Sequence, residues 1–234
     1  MPRQFFLFFL FIITSCSQSS DAFLKKGKDL MREGKTREAI EFINKAIEKN
    51  TSNAEAFNLR GVAYYELKEY PNAMLDFNQA IKISPDSYRP YFNRALLQKS
   101  ENRLDSALAD YNKAAALAPD TSDVFLNRGE LLALLEKLPD AVQDFEKATK
   151  LNENNKMAWY NLGNTYYRQK DYTKASLAFR QTLKLDSQYG KAYYGLGLSQ
   201  WYEGEKDLSC GNFKQAANLG YSDAVSAMSQ FCQQ

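Results

Sequence analysis

One period governs this chain. Units beginning at Ser20, Ala54, Tyr88, Ser122, Lys156 and Gly190 follow one another every 34 residues without an insertion, the last ending at Asp223. A fixed period of roughly 20 to 50 residues is the mark of a repeat architecture, in which each unit buries its apolar face only against its neighbours. The eighth place of each unit is small: Gly27, Gly61, Ala95, Gly129, Gly163 and Gly197. The twentieth is Ala39, Ala73, Ala107, Ala141, Ala175 and Ser209, and the twenty-seventh is Ala46, Ala80, Ala114, Ala148, Thr182 and Ala216. The twenty-fourth is bulky throughout, at Ile43, Phe77, Tyr111, Phe145, Phe179 and Phe213. Within a unit these places recur three or four apart, as in Phe57, Gly61 and Tyr64 and then Ala73, Phe77 and Ala80, so each unit reads as two amphipathic helices, A and B. Small residues let the two backbones approach while the aromatics fill the remaining volume. Asn53, Ser87, Thr121 and Asn155 stand where helix A needs an N-cap. Pro71 and Pro139 stand in the first turn of helix B, where a missing N–H costs nothing.

This pattern closely resembles the tetratricopeptide repeat. The stretch Ala54 to Ser87 is near that family's consensus, and the fifth unit, with Trp159, Leu162, Gly163, Tyr166, Ala175 and Phe179, is nearer still. The resemblance implies an all-α fold, a right-handed α-solenoid of six helix pairs over residues 20–223 plus a C-terminal capping helix over 224–234. The ends depart from the pattern, being charged at Lys25 and Lys26 and glycine-rich at Gly204 and Gly211, as terminal units that meet solvent on one side commonly do.

An internal correlation supports the hairpin independently of the resemblance. Arg60, Arg94 and Arg128 occupy the seventh place of three units, and those units alone carry Asp76, Asp110 and Asp144 sixteen residues later. Residues equidistant from the turn of an antiparallel helix pair face each other, so each Arg is expected to meet its Asp as a structural ion pair.

The residues ahead of the repeats read as an address. Met1 to Gln4 carry Arg3, and Phe5 to Ile13 are nine consecutive Phe, Leu and Ile residues. As a helix that run would reach only about 14 Å against a hydrocarbon core of roughly 30 Å, so it reads as an export signal rather than a spanning anchor. Ile13-Thr14-Ser15-Cys16 resembles the lipobox of bacterial lipoproteins. That resemblance implies a signal peptide over 1–15, acylation of Cys16, a lipidated tether over 16–19, and a protein held to the lipid bilayer of the cell envelope. In that family an Asp after the cysteine tends to cause inner-membrane retention, so with Ser17 there the resemblance implies the outer membrane, facing the periplasm.

At the other end, Asp223 is followed by Ala224, Val225, Ala227, Met228 and Phe231 at helical spacing. With a turn at Gly220-Tyr221-Ser222, Cys210 and Cys232 each lie eleven residues from Tyr221, so antiparallel helices bring them opposite one another. An oxidising destination makes a disulfide the expected outcome.

In solenoids of this family helix A lines the concave surface. The places not used by the hairpin core are mixed in the first units, with Leu24, Lys28, Asn58, Val62 and Tyr65, and aromatic in the last two. Met157, Tyr160, Asn164, Tyr167, Arg168, Tyr194, Leu198, Trp201 and Tyr202 form the candidate groove for protein or peptide partners. Aromatic and Arg side chains are typical interface anchors. The competing reading is that twist between units buries several of these rings. Asn93, Asn127 and Asn161 recur in the same surface, suited either to a bound peptide backbone or to the adjoining helix. The basic residues of a peptide-carboxylate clamp are replaced by Phe92, Leu96, Leu126 and Glu130, which argues against a chaperone-tail receptor.

Composition removes several other functions. The chain has 234 residues, 30 Lys plus Arg against 28 Asp plus Glu, no histidine and three cysteines. A net charge of +2 supplies no field for nucleic acid. Without histidine, Ser-His-Asp and Cys-His chemistry cannot be built, and three cysteines are too few for a cysteine-only zinc site. No metal, cofactor or catalytic constellation is expected, and the oligomeric state is open. The reading is a lipid-anchored scaffold or adaptor. A periplasmic protein that captures peptide or glycan for a neighbouring transporter is the alternative, and a carboxylate-based hydrolase is a remote one.

Overall fold

A computed structural model describes residues 19–232. Among the described residues there are thirteen helices and no strand. The A helices are α1 (Ser20–Arg32), α3 (Ala54–Glu66), α5 (Tyr88–Ser100), α7 (Ser122–Leu134), α9 (Lys156–Arg168) and α11 (Gly190–Glu203). The B helices are α2 (Thr36–Lys49), α4 (Tyr70–Ile83), α6 (Leu104–Leu117), α8 (Leu138–Leu151), α10 (Tyr172–Leu185) and α12 (Lys206–Asn218), and α13 (Ser222–Phe231) follows. The chain divides into two compact bodies, one ending at Ile83 and the other beginning at Ser84. In the first, α1 packs on α2, α2 on α3 and α3 on α4; in the second, each helix from α5 to α13 packs on the next. Successive A helices also meet, α1 with α3 and, in the second body, α7 with α9 and α9 with α11. The A helices therefore share a face of each body. This is the all-α succession of helix pairs that the period predicts and the resemblance implies.

The small-against-bulky lock holds each hairpin. Phe77, Tyr111, Phe145, Phe179 and Phe213 are completely or almost completely buried. A Cβ at Gly61, Gly129, Gly163 or Gly197 would stand 2.6 to 2.8 Å from the ring of the same unit's aromatic, closer than real contacts allow. The A-to-B turns have one geometry. In the second unit Lys68 takes φ +61°, its N–H donating to the Tyr65 carbonyl at 3.0 Å and that of Glu69 to the Tyr64 carbonyl at 2.8 Å. This is a Schellman ending, and Gly34, Asn102, Glu136, Lys170 and Gly204 repeat it.

Two local expectations need correction. Asn53 and Asn155 cap their helices by accepting from backbone N–H groups, but Ser87 and Thr121 have extended backbones without a side-chain cap bond. The capping helix begins at Ser222, two residues before the expected boundary at 224, because α12 ends one residue early and a three-residue link with Gly220 at φ +81° replaces the four-residue link of the earlier units.

Candidate functional site

The A-helix face of the last two units collects tyrosines from both helices and from the turns beside them. The Tyr160 and Tyr189 rings meet edge to face at 5.1 Å, and the Tyr189 hydroxyl donates to Met157 Sδ at 3.8 Å. Lys156 Nζ lies 4.6 Å from the Tyr189 ring while holding Asp186 at 2.6 Å. Further along α9, Tyr167 lies 5.6 Å from Tyr172 and 6.1 Å from Tyr202, and Tyr172 and Tyr202 stack at 4.7 Å. Tyr194 packs 5.9 Å from Phe213 and 5.0 Å from Tyr221. Burial, reinforced by the Tyr202 and Tyr172 phenols, pushes Tyr167 up to about 12. Burial and a hydrogen bond to Asp223 push Tyr221 up to about 12, and burial raises Tyr189 and Tyr194 as well. Tyr194 bears electrostatically on both Tyr167 and Tyr221, and Tyr160 on Tyr221, so the rings form one patch.

Most of the predicted groove belongs to this patch. Met157 is 39% and Tyr202 54% exposed, while Tyr160, Tyr167, Tyr194 and Leu198 are half-buried, so the rings pack on one another without leaving the surface. Asn164, Tyr167 and Arg168 line an adjoining groove of about 650 Å³ with Glu130, Glu136 and Asn161. Arg168 donates to the Ala133 carbonyl at 3.0 Å and pairs with Glu136, which orients it along the groove wall. Asn161 donates to Glu130 at 3.2 Å, the adjoining-helix role, and Asn127 donates to its own helix at the Asp123 carbonyl. Trp201 is placed differently: its ring lies 4.8 Å from Phe231 of α13 and 5.2 Å from Lys206, so it serves the end of the array. Tyr172, Tyr189 and Tyr221 escape the sequence reading because they sit on turns and at helix starts rather than at the exposed places of helix A.

The proposed ion pairs form with one geometry. Nε and Nη2 of Arg60, Arg94 and Arg128 each donate to the two carboxylate oxygens of Asp76, Asp110 and Asp144, every bond being 2.7 Å. The neighbouring carboxylate, opposed by burial, raises the Arg60 guanidinium above its ordinary value. The remaining Nη1 reaches the preceding unit, from Arg60 to Asn44 at 2.7 Å and from Arg128 to Asn112 at 3.1 Å. These asparagines, at the twenty-fifth place of the unit before, had a signal in the sequence, since each precedes its Arg by sixteen residues as each Asp follows it. Arg60 and Arg128 thus each close their own hairpin and tie it to the one before.

Cys210 and Cys232 form a disulfide, S–S 1.98 Å, that fastens α13 to α12. Cys16, the lipidation candidate, lies outside the described residues. No group of three metal-binding side chains occurs among the described residues, nor a helix long and apolar enough to cross a membrane.

Known proteins agree with this geometry. Tetratricopeptide repeat family models match residues 24–88, 88–121 and 157–189, and a TPR repeat model matches 131–170. Among curated proteins the chain is 27% identical over 95 residues to the rhomboid protease GluP of Bacillus subtilis, a match covering 41% of this chain and 19% of that one. It is 32% identical over 73 residues to a UDP-N-acetylglucosamine–peptide N-acetylglucosaminyltransferase of Giardia intestinalis, covering 31% of this chain and 5% of that one. The chain therefore spans only a small part of these relatives. Among solved structures, PilF of Pseudomonas aeruginosa superposes with a TM-score of 0.78 at 20% identity, covering 89% of this chain and 97% of that one. YrrB, described as a TPR protein with an unusual peptide-binding site, gives 0.73 at 20% identity, covering 80% and 97%. Likeness at this identity speaks to the fold. The repeated lock, the Schellman turns and the family matches along most of the array agree: the chain belongs to the tetratricopeptide repeat family.

Proposed function

We propose that this protein is a lipid-anchored adaptor of the bacterial cell envelope, binding a protein partner on the tyrosine face of its fifth and sixth units and acting by binding rather than catalysis. The observation that carries this is the patch around Tyr160, Tyr167, Tyr194 and Tyr202. A solvated helix face ordinarily carries Lys and Glu, whereas here tyrosines and Met157 stay accessible at the surface. Tyrosine gives large contact area at low entropic cost and a hydroxyl for orientation. The peptide-binding site named for YrrB and the protein-binding habit of the family support the reading, and the resemblance of residues 13–16 to a lipobox supports the anchor.

The test is photo-crosslinking in the native cell, with a crosslinking residue at Tyr160 or Tyr202 and, as control, at the exposed Leu75 of α4. One defined protein adduct from the tyrosine sites and none from Leu75 is expected, together with loss of membrane association in Cys16→Ser. Identical patterns at all three positions refute the partner site. A release of Cys16→Ser no greater than that of the unaltered chain refutes the anchor. Saturable binding of free peptides or glycans with no protein adduct would replace the adaptor by a capture protein.

A further inference from the structure

The ladder of ion pairs stops after the fourth unit, and the place it vacates is a groove. Arg128 and Asp144 of the fourth unit and Asn112 of the third occupy the space between α6 and α8, leaving a recess of about 290 Å³. One unit on, the same three places are Leu162 and Ala178 of the fifth unit and Glu146 of the fourth, and the space between α8 and α10 opens to about 850 Å³. One unit later the corresponding region is polar again: the buried Gln200 donates to Glu205 at 2.9 Å and accepts from Asn212.

The groove is built like a seat for a helix. Its floor comes from α9, with Leu162 in the middle and Trp159 and Tyr166 seven residues apart at either end, about 10.5 Å along the helix axis. That spacing matches two turns of an incoming helix anchored at i and i+7. One wall is a single face of α10, in which Lys174, Leu177, Gln181 and Lys184 follow at intervals of three and four. Leu177 is 56% exposed and Leu185, at the end of that wall, 39%. The rim is basic. Lys150 of α8 and Lys184 of α10 line it from the two walls, neither in a salt bridge among the described residues, and Lys174 lies over the Tyr166 ring at 5.2 Å. Of the two glutamates in the lining, Glu146 accepts the Tyr166 hydroxyl.

We propose that this groove is a second docking site, for an acidic amphipathic helix of a partner protein, whose apolar stripe meets Trp159, Leu162 and Leu177 and whose carboxylates meet Lys150 and Lys184. An apolar floor alone would accept many occupants; the unpaired lysines on opposite walls select acidic flanks. This site uses the B-helix side and stands independently of the tyrosine patch. With both, the protein can hold two partners at once.

The full chain is placed in phosphatidylcholine nanodiscs and titrated against a labelled 18-residue peptide with Leu at helical spacing and Glu elsewhere, read by fluorescence anisotropy against empty nanodiscs. Saturable binding is expected, with at least tenfold weaker binding for the peptide carrying Lys in place of Glu. Leu162→Arg with Ala178→Asp, which rebuilds the pair found in the fourth unit, should weaken binding at least tenfold. Leu177→Glu, on the surface and harmless to the core, should do the same. Tyr160→Ala with Tyr167→Ala should leave this binding unchanged, which separates the groove from the tyrosine face. The proposal is overturned by absence of binding, by equal binding of both peptides, by undiminished binding in Leu177→Glu, by loss only in the tyrosine variant, or by self-association of the chain that Leu177→Glu abolishes.

Discussion

The Arg128–Asp144 pair allows a quantitative test, because the chain contains its own apolar replacement. Asp144 is 4% exposed and accepts two charge-assisted bonds of 2.7 Å from a guanidinium whose side chain is 21% exposed. Removing one partner of a buried pair costs about 3 to 5 kcal/mol, chiefly because the other charge is left without compensation. Arg128 retains partial solvent contact and its bond to Asn112, so Asp144→Ala should lie near the lower end, about 3 kcal/mol. Replacing both partners by well-packed apolar groups is commonly neutral, and the fifth unit does this with Leu162 and Ala178. Arg128→Leu with Asp144→Ala should therefore fall within about 1 kcal/mol of the unaltered protein, giving a coupling of at least about 2 kcal/mol. Repeat arrays open in parts, so the readout is hydrogen exchange of the α7 and α8 amides, where about 3 kcal/mol is roughly 150-fold faster exchange. Unchanged exchange in Asp144→Ala, or a double variant as fast as the summed single ones, would refute the reasoning.

Reduction of the Cys210–Cys232 disulfide, or Cys232→Ser, removes a cross-link spanning 22 residues, worth about 3 kcal/mol in the chain-entropy model. The α13 amides should then exchange faster while those of α5 to α8 keep their rates, and α13 rates unaltered by reduction would show that packing alone holds it. Alkaline titration examines the tyrosine patch. Tyr167 and Tyr221 stay protonated to about 12 in the folded state, against about 10 when unfolded, so the stabilisation they contribute is full below pH 10 and is lost as pH rises toward 12. Tyrosinate absorbance should show a late fraction that moves to about 10 in urea, and a single midpoint near 10 for all 15 tyrosines would contradict the packing.

The features that the sequence announced are those repeated at a fixed distance. Gly61 and Phe77 declare their contact because Gly129 and Phe145, Gly163 and Phe179, and Gly197 and Phe213 restate it, and a steric lock must recur wherever the hairpin does. The Arg–Asp pairs were legible because two charged residue types appear and vanish together. Asn44 and Asn112 carry the same sixteen-residue spacing, but in a contact that crosses a junction between units, where a comparison made within single units does not find it. Ser87 and Thr121 have the residue type of a cap without its bond, which depends on a side-chain rotamer that a single sequence does not specify. Within the candidate site, Tyr160 and Tyr167 follow from helical spacing, whereas Tyr189 and Tyr221 are carried in by turns. The same spacing places Trp201 in the groove, but a ring at the last turn of α11 finds Phe231 of α13 within reach.

The early start of α13 bears on how the length of such an array can change. Every junction before it repeats after 34 residues, so a unit added between earlier units leaves all other contacts in register. Beyond α12 that register is already displaced by two residues and pinned by a disulfide. Growth or loss of units by internal duplication is therefore confined to the upstream part of the chain. Tyr194 meets Tyr221 across the displaced junction, so the tyrosine face would travel with the α12–α13 end, and duplication upstream would leave that face unchanged.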